Sequence, residues 1–292
     1  MDTFTDKLAV ITGGGDGMGR SLALQLTAAG CSVAICDISE DMLAETKQLC
    51  EAQAPDGTTV TTHICDVGVE AEIVRFRDEV LAAHDTDRVN LLFNNAGIGG
   101  GASIVDSPRD TWERTFNVCW GGVYWSVRAF MDALRAADEA VIVNTSSVNG
   151  FWATLGPSVA HTAYSAAKFA VKGFTEALIT DLALHAPNVR AAVVMPGHIG
   201  TGIAGNTVRA HGGEPDPEAA ERAARFRNSA PTTADQAATV ILDGVRSRQW
   251  RILVGEDAHV LDLAVRQAPE EAYDPDFGNR LGDHFGVLPR SN

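Results

Sequence analysis

The sequence predicts a doubly wound α/β domain, with one parallel sheet of about seven strands and helices on both faces. Two local patterns carry this. Short apolar, β-branched runs alternate with amphipathic stretches from residue 8 to about residue 255. The first run, Leu8–Thr12, is apolar at almost every position, as a parallel strand covered on both faces requires, and glycines close it and lead directly into a helical pattern. Composition agrees: 45% of the 292 residues are apolar, enough for a large core without disulfide or metal staples.

The elements follow in order. The first helix covers about residues 18–29, with Leu22, Leu26 and Ala29 at helical spacing and Gly30 just past its end. Ser32–Asp37 is the second strand. Ser39 caps a helix to about residue 54, and Asp41 and Glu45 lie early in it, where the helix dipole favours acids. Further strands are expected at 60–65, 89–94, Ala140–Thr145, 189–195 and 252–254, and helices near 69–84, 109–136, 164–185 and 232–247. Residues 198–231 mix glycines, prolines and clustered charges, and read as a long irregular substrate lid. Residues 1–255 thus form one catalytic domain. Residues 256–292 extend it; from residue 255 onward the chain carries eight acids against three arginines, expected at the surface or at a subunit contact.

Charge narrows the partners. With 38 acidic and 23 basic residues the formal net charge is −15, a poor match for nucleic acid or an anionic membrane. No run of 18 apolar residues occurs and the first residues lack the order of a signal peptide, so a cytoplasmic location is expected. Cys31, Cys36, Cys50, Cys65 and Cys119 are odd in number, contain no C-x-x-C pair, and read as buried thiols. His63, His84, His185, His211, His259 and His284 show no metal-ligand spacing, and no catalytic metal is expected.

A nucleotide site is legible after the first strand, in Thr12-Gly13-Gly14-Gly15-Asp16-Gly17-Met18-Gly19. Glycines there permit a sharp turn and let a pyrophosphate approach the free N–H groups of a helix start. The spacing is G-x-x-x-G-x-G rather than the commoner G-x-G-x-x-G. Asp37 ends the second strand, 18 residues after Gly19, where a carboxylate can bind ribose hydroxyls and repel a 2′-phosphate. Asp16 adds a second negative charge, and both acids favour NAD. Asp66 and Val67 could hold the adenine; an ordinary helix-start Asp is the other reading.

The chemistry sits further along. Tyr164-Ser165-Ala166-Ala167-Lys168 places a phenol and an ammonium one helical turn apart, so the cation can favour the phenolate and the tyrosine can exchange a proton with an alcohol. Ser147 follows the strand ending at Thr145, on the edge of the sheet where ligands bind, and could donate to a substrate oxygen.

With these motifs the sequence resembles the short-chain dehydrogenase/reductase family over about residues 5–255. T-G-x-x-x-G-x-G at 12–19, Asp66-Val67, Asn94-Asn95-Ala96-Gly97, Asn117, Ser147 with Gly150, Tyr164-x-x-x-Lys168, and Pro196-Gly197-His198-Ile199-Gly200-Thr201 occur in the family's order. The resemblance implies a Rossmann-type domain and reversible hydride transfer between NAD(H) and a small-molecule secondary alcohol or ketone. It makes Tyr164 the general acid/base, Lys168 its activator and a ligand of the nicotinamide ribose, and Ser147 the group that polarises the carbonyl. Asn117 would anchor a proton-relaying water. Asn94, Ala96 and Gly97 would line the adenosine side, more structurally than catalytically, and Ile199 and Thr201, after Pro196 and Gly197, would contact the carboxamide.

Two departures stand out. Tyr164 lies 17 positions after Ser147, and the enlarged loop contains Phe151, Trp152, Leu155 and His161. This suggests a bulky, hydrophobic substrate, although the same residues could pack on the lid or a neighbouring subunit. The acidic extension is the second departure. In the family, the helix carrying Trp112, Trp120 and Trp125 and the helix of Tyr164 form the main subunit contact, which implies a homo-oligomer, tetramer or dimer. A non-catalytic NAD(H)-binding sensor on the same fold is the alternative, and the intact Asn117–Ser147–Tyr164–Lys168 set speaks against it.

Overall fold

The computed structural model describes residues 1–154, 160–213, 216–274 and 276–277. Leu155 and the end of the C-terminal extension lie outside the described residues. Seven parallel strands form one sheet: β1 (Leu8–Thr12), β2 (Ser32–Asp37), β3 (Val60–Ile64), β4 (Leu91–Asn94), β5 (Ala140–Thr145), β6 (Val189–Pro196) and, at its far edge, β9 (Arg251–Val254). Their spatial order is β3-β2-β1-β4-β5-β6-β9. The chain winds outward from β1 to β3 and then crosses back to β4. The crevice between β1 and β4 is therefore the switch point, where open α/β sheets bind ligands.

Alternation along each strand fills two cores at once. Ala9 and Ile11 of β1 face one layer, with Leu22 and Leu26 of α1 (Gly17–Ala28), Leu43 of α2 (Glu40–Glu51) and Ile241 and Leu242 of α9 (Ala234–Arg246). Leu8 and Val10 face the other, with Phe76 of α3 (Glu70–Ala83), Phe130 and Leu134 of α5 (Gly122–Ala136), and Leu178 of α6 (Thr162–His185). This is why the strand reads as a continuous apolar run: both of its faces are covered. Truncating a residue as buried as Leu22 to alanine should cost about 3 kcal/mol. All five cysteines are buried free thiols. No helix among the described residues is long and apolar enough to cross a membrane.

Three segments differ from the sequence expectation. The lid is not irregular: it contains α7 (Ile203–Ala210) and α8 (Pro217–Asn228), and its two ends are clamped by a short parallel pair, β7 (Ile199–Gly200) with β8 (Thr232–Thr233). Asp216 caps α8 by accepting the Ala219 N–H at 2.7 Å, a signal present in the sequence beside Pro217. The expected long helix near 109–136 is α4 (Arg109–Phe116), a π-turn over Asn117–Gly121, and α5. Finally, the extension is not merely a surface tail. It begins with α10 (Glu256–Gln267), whose Ala258 and Leu261 are buried against Val148 and Trp152.

Candidate active site

The cleft at the β1/β4 switch point begins with the glycine turn. Gly13 and Gly17 hold φ of +66° and +55°, a left-handed conformation that favours glycine. A Cβ on Gly17 would stand 3.0 Å from Thr201, and one on Gly19 would collide with the Gly13 carbonyl. Arg20 fixes the turn from behind, its Nε and Nη2 donating to the Gly15 carbonyl at 3.0 and 2.6 Å. The facing corner is stitched on by Thr12, whose Oγ1 accepts the N–H groups of Asn95 and Ala96 at 3.0 and 3.1 Å. The Asn95 side chain donates to the Thr12 and Gly13 carbonyls. At the start of α1, Asp16 makes no side-chain cap bond. The helix N-terminus is left to an anion, and the cradle fits a pyrophosphate.

The three predicted acids have different surroundings. Asp37 accepts the Gly15 N–H at 3.1 Å and the Ser39 N–H at 3.2 Å, so its carboxylate is held at the end of β2 beside the turn. Burial pushes its pKa up, and those backbone donors oppose the rise. Asp16 turns toward the lid, where its Oδ2 accepts from Asn206 at 3.2 Å and pairs with Arg227 at 3.3 Å. Its charge is thus partly neutralised, and Asp37 is the acid better placed to oppose a phosphate. Asp66 takes its Gly68 N–H at 2.9 Å and the Arg114 guanidinium at 2.8 Å.

Gly13, Asp16, Gly17, Met18, Asp37, Asp66, Val67, Ala96, Gly97 and Thr201 all line one cleft of about 440 Å³. Other predicted residues stand behind its surface. Gly19 is packed under the turn. Asn94 is buried with its Nδ2 donating to Asn144 at 2.8 Å, and Asn144 donates in turn to Thr175 of α6. Ile199 is buried in β7. Pro196 ends β6, and Gly197 leaves room for the Asp257 carboxylate, which any Cβ there would strike.

At the C-terminal end of β5 the reactive side chains converge. Lys168 is buried, its Nζ donating to the Thr145 carbonyl at 2.9 Å and lying 5.4 Å from the centre of the Tyr164 ring. Ser146 locks the helix carrying both to the strand, its Oγ donating to the Lys168 carbonyl at 2.7 Å. Gly150 permits this approach, since a Cβ there would meet both groups. Burial raises the Tyr164 pKa; the Lys168 charge and a hydrogen bond from Ser147 pull it down, and the nearby Cys119 adds to the rise. A Cβ on Gly97 would stand 3.4 Å from Lys168 Nζ, so the reactive group adjoins the cleft. Asn117 opens the π-turn with an exposed side chain, and among the described residues no hydrogen bond joins it to Tyr164 or Lys168. π-turns of this kind are frequent at functional sites.

Several residues in and around the cleft lie outside the sequence reading. Arg114 joins Asp66 to the lid, its Nε donating to the Ala210 carbonyl at 3.3 Å. Thr207 accepts the Gly99 N–H at 2.8 Å, and Asp257 accepts the His198 N–H at 2.6 Å. Each joins segments far apart in the chain, and a lone Arg, Thr or Asp carries no local signal.

Residues 7–211 match the short chain dehydrogenase family. The chain is 36% identical to SadH of Mycobacterium tuberculosis, a protein assigned as an oxidoreductase, over 91% of this chain and 92% of that one. It is 33% identical to the cyclopentanol dehydrogenase of Comamonas testosteroni, over 69% of this chain and 76% of the other. Among solved structures, a short-chain dehydrogenase/reductase from Burkholderia phymatum in complex with NAD superimposes with a TM-score of 0.82 at 29% identity, covering 94% of this chain and 98% of that one. The sheet order, the glycine turn and the Tyr164–Lys168 pair had already led to the same place: this chain belongs to the short-chain dehydrogenase/reductase family of oxidoreductases.

Proposed function

We propose that this protein is an NAD-dependent alcohol dehydrogenase/ketoreductase acting on a secondary alcohol or its ketone, with a fairly bulky, hydrophobic substrate. The reading rests on the Lys168 ammonium, 5.4 Å from the centre of the Tyr164 ring, and on the lowering of the phenol pKa by that charge and by Ser147, next to the glycine cradle. The pyrophosphate would lie on the N–H groups of Gly13 to Gly19, with Asp37 on the adenosine ribose and Asp66 and Val67 at the adenine. Ala96 and Gly97 would line the adenosine side, with Thr201 toward the carboxamide. Asp37 supports NAD over NADP because a carboxylate repels a 2′-phosphate.

When bound, the dinucleotide supplies the hydride acceptor or donor. The protein's own residues handle the proton. In alcohol oxidation Tyr164 Oη, as phenolate, takes the hydroxyl proton; in ketone reduction it returns it. Lys168 stabilises the anion that burial disfavours, and Ser147 donates to the substrate oxygen as charge builds there. Half-buried His161, 6.4 Å from the Tyr164 ring, supports a large substrate, whereas Phe151 packs against the C-terminal extension. The cyclopentanol acted on by one relative is itself a secondary alcohol.

A screen of NAD reduction with cyclic, aryl and steroid-like secondary alcohols tests the reading. Turnover should appear with wild type and vanish in Tyr164→Phe, while NADH still binds. Retained turnover in the variant would sink the assignment. A homo-oligomer is also proposed, because Tyr124 and Phe169 are exposed on α5 and α6 beside half-buried Trp120 and Phe174. Sedimentation of a monomer at micromolar concentration would remove that part.

A further inference from the structure

The enlarged loop after Ser147 and the C-terminal extension carry no group of the proposed proton transfer, yet hydrogen bonds join them to the serine. Ser147 caps the short 3-10 turn Val148–Gly150, its Oγ accepting the Asn149 N–H at 3.2 Å. The Asn149 side chain, itself buried, donates from Nδ2 to the Trp152 carbonyl at 3.3 Å. Trp152 is only 2% exposed, and its Nε1–H donates to the carbonyl of Ala272 in the extension at 2.7 Å. One residue on, the Tyr273 hydroxyl accepts the Ala153 N–H at 3.2 Å. The indole packs 5.8 Å from the Phe277 ring, in a cluster with Val148, Ala258 and Leu261.

We propose that Trp152 is a positioning residue for Ser147, through which the C-terminal extension sets the orientation of the serine hydroxyl. The inference rests on the Ser147–Tyr164–Lys168 reading of the site. A buried indole N–H is costly to leave unpaired, so the Ala272 carbonyl fixes where Trp152 lies. Trp152 then fixes Asn149, and the Asn149 N–H occupies a lone pair of Ser147 Oγ. With that lone pair taken and the rotamer held, the serine hydrogen is directed to the Tyr164 oxygen or the substrate oxygen. The same contacts set the direction in which the enlarged loop leaves the serine. An element some 120 residues away in sequence thereby sets the course of the chain after the serine.

Trp152→Phe keeps an aromatic body against Phe277 and removes the N–H. The expected result is a kcat lower by about tenfold, the rate change that corresponds to one hydrogen bond. NADH affinity, read by fluorescence titration, stays within about twofold. The rising limb of the pH profile for alcohol oxidation moves to higher pH, because a misplaced serine donor favours the phenolate less. Ser147→Ala and Tyr164→Phe are measured alongside. If those two keep full turnover, the reading of the site falls and this inference falls with it. If they lose turnover while folded Trp152→Phe keeps wild-type kcat and pH profile, the inference alone is overturned. Should Trp152→Phe fail to fold, Tyr273→Phe decides, because it removes only an exposed residue's hydroxyl: a kcat reduced about threefold with the same profile shift upholds the proposal, and wild-type behaviour overturns it.

Discussion

On the nucleotide side of the cleft, the glycine turn and Asp37 come from neighbours in sequence, with Asn95 stitched to Thr12 from 83 residues away. The glycine turn, the start of α1 and Asp37 span residues 13–37, and the bond that fixes Asp37 to the turn links residues 22 apart. Where the lid and the C-terminal extension close on the domain, the contacts come from distant pieces. Asn206 reaches Asp16 across 190 residues, Arg227 across 211, and Trp152 reaches Ala272 across 120. The glycine turn and its strand and helix pack on the cores, whereas the lid and extension are held by single hydrogen bonds and the half-exposed Arg227–Asp16 pair. A domain of this kind can therefore hold one cofactor chemistry constant while the lid and extension vary.

The contrast can be broken or sharpened by substitution. The largest effect is expected at Tyr164: in Tyr164→Phe, kcat falls by about 10³-fold with NADH binding retained, measured by steady-state turnover and fluorescence titration. Next comes Ser147→Ala, with a loss of about 10²-fold in kcat. Because the Ser147 hydrogen bond lowers the Tyr164 pKa, its removal raises that pKa, and the alcohol-oxidation profile should shift to higher pH. At Asp37→Ala, the preference for NAD over NADP should fall by about tenfold in the ratio of kcat/KM values; an unchanged ratio would strip Asp37 of its assigned role. The raised pKa of Asp37 gives an independent check. It gains its proton at a pH above the ordinary carboxylate value, so NAD affinity should weaken on acidification earlier than it does for a group titrating normally.

The smallest effect belongs to the lid. Arg227 is half-exposed where it pairs with Asp16, so Arg227→Ala should weaken NADH binding by only about threefold, and less at high salt. A loss as large as that of Asp37→Ala would show that the lid grips the cofactor as firmly as the glycine turn does, and the contrast between the two regions would disappear.

How much of this could be read from the sequence follows the same division. The limits of β1, β2 and β5 match the sequence reading residue for residue, because each is a run of apolar residues bounded by glycine, acid or serine. Ser39 caps α2 as expected, accepting the Met42 N–H. Seven of the predicted site residues between Gly13 and Val67 also face the cleft. The helices α7, α8 and α10 lie outside the sequence reading. α7 has a glycine inside it and no buried residue, α8 has no buried residue either, and α10 lies in a segment whose acidity suggested a surface tail. The π-turn at Asn117 was equally silent, since residues of an i,i+5 turn keep a helical pattern.

The individual strands, the glycine turn and the Tyr164–Lys168 spacing are legible in local sequence, because strand alternation, glycine conformation and helical spacing act over a few residues. Which strands pair is not local: Ala9 of β1 meets Leu91 of β4. Only the tertiary structure decided that Asp16 faces Arg227, that Asn94 is buried on Asn144, and that the extension holds Trp152. Those contacts close long loops, and their partners are ordinary polar groups that no local pattern marks. Packing of the whole chain chooses among them.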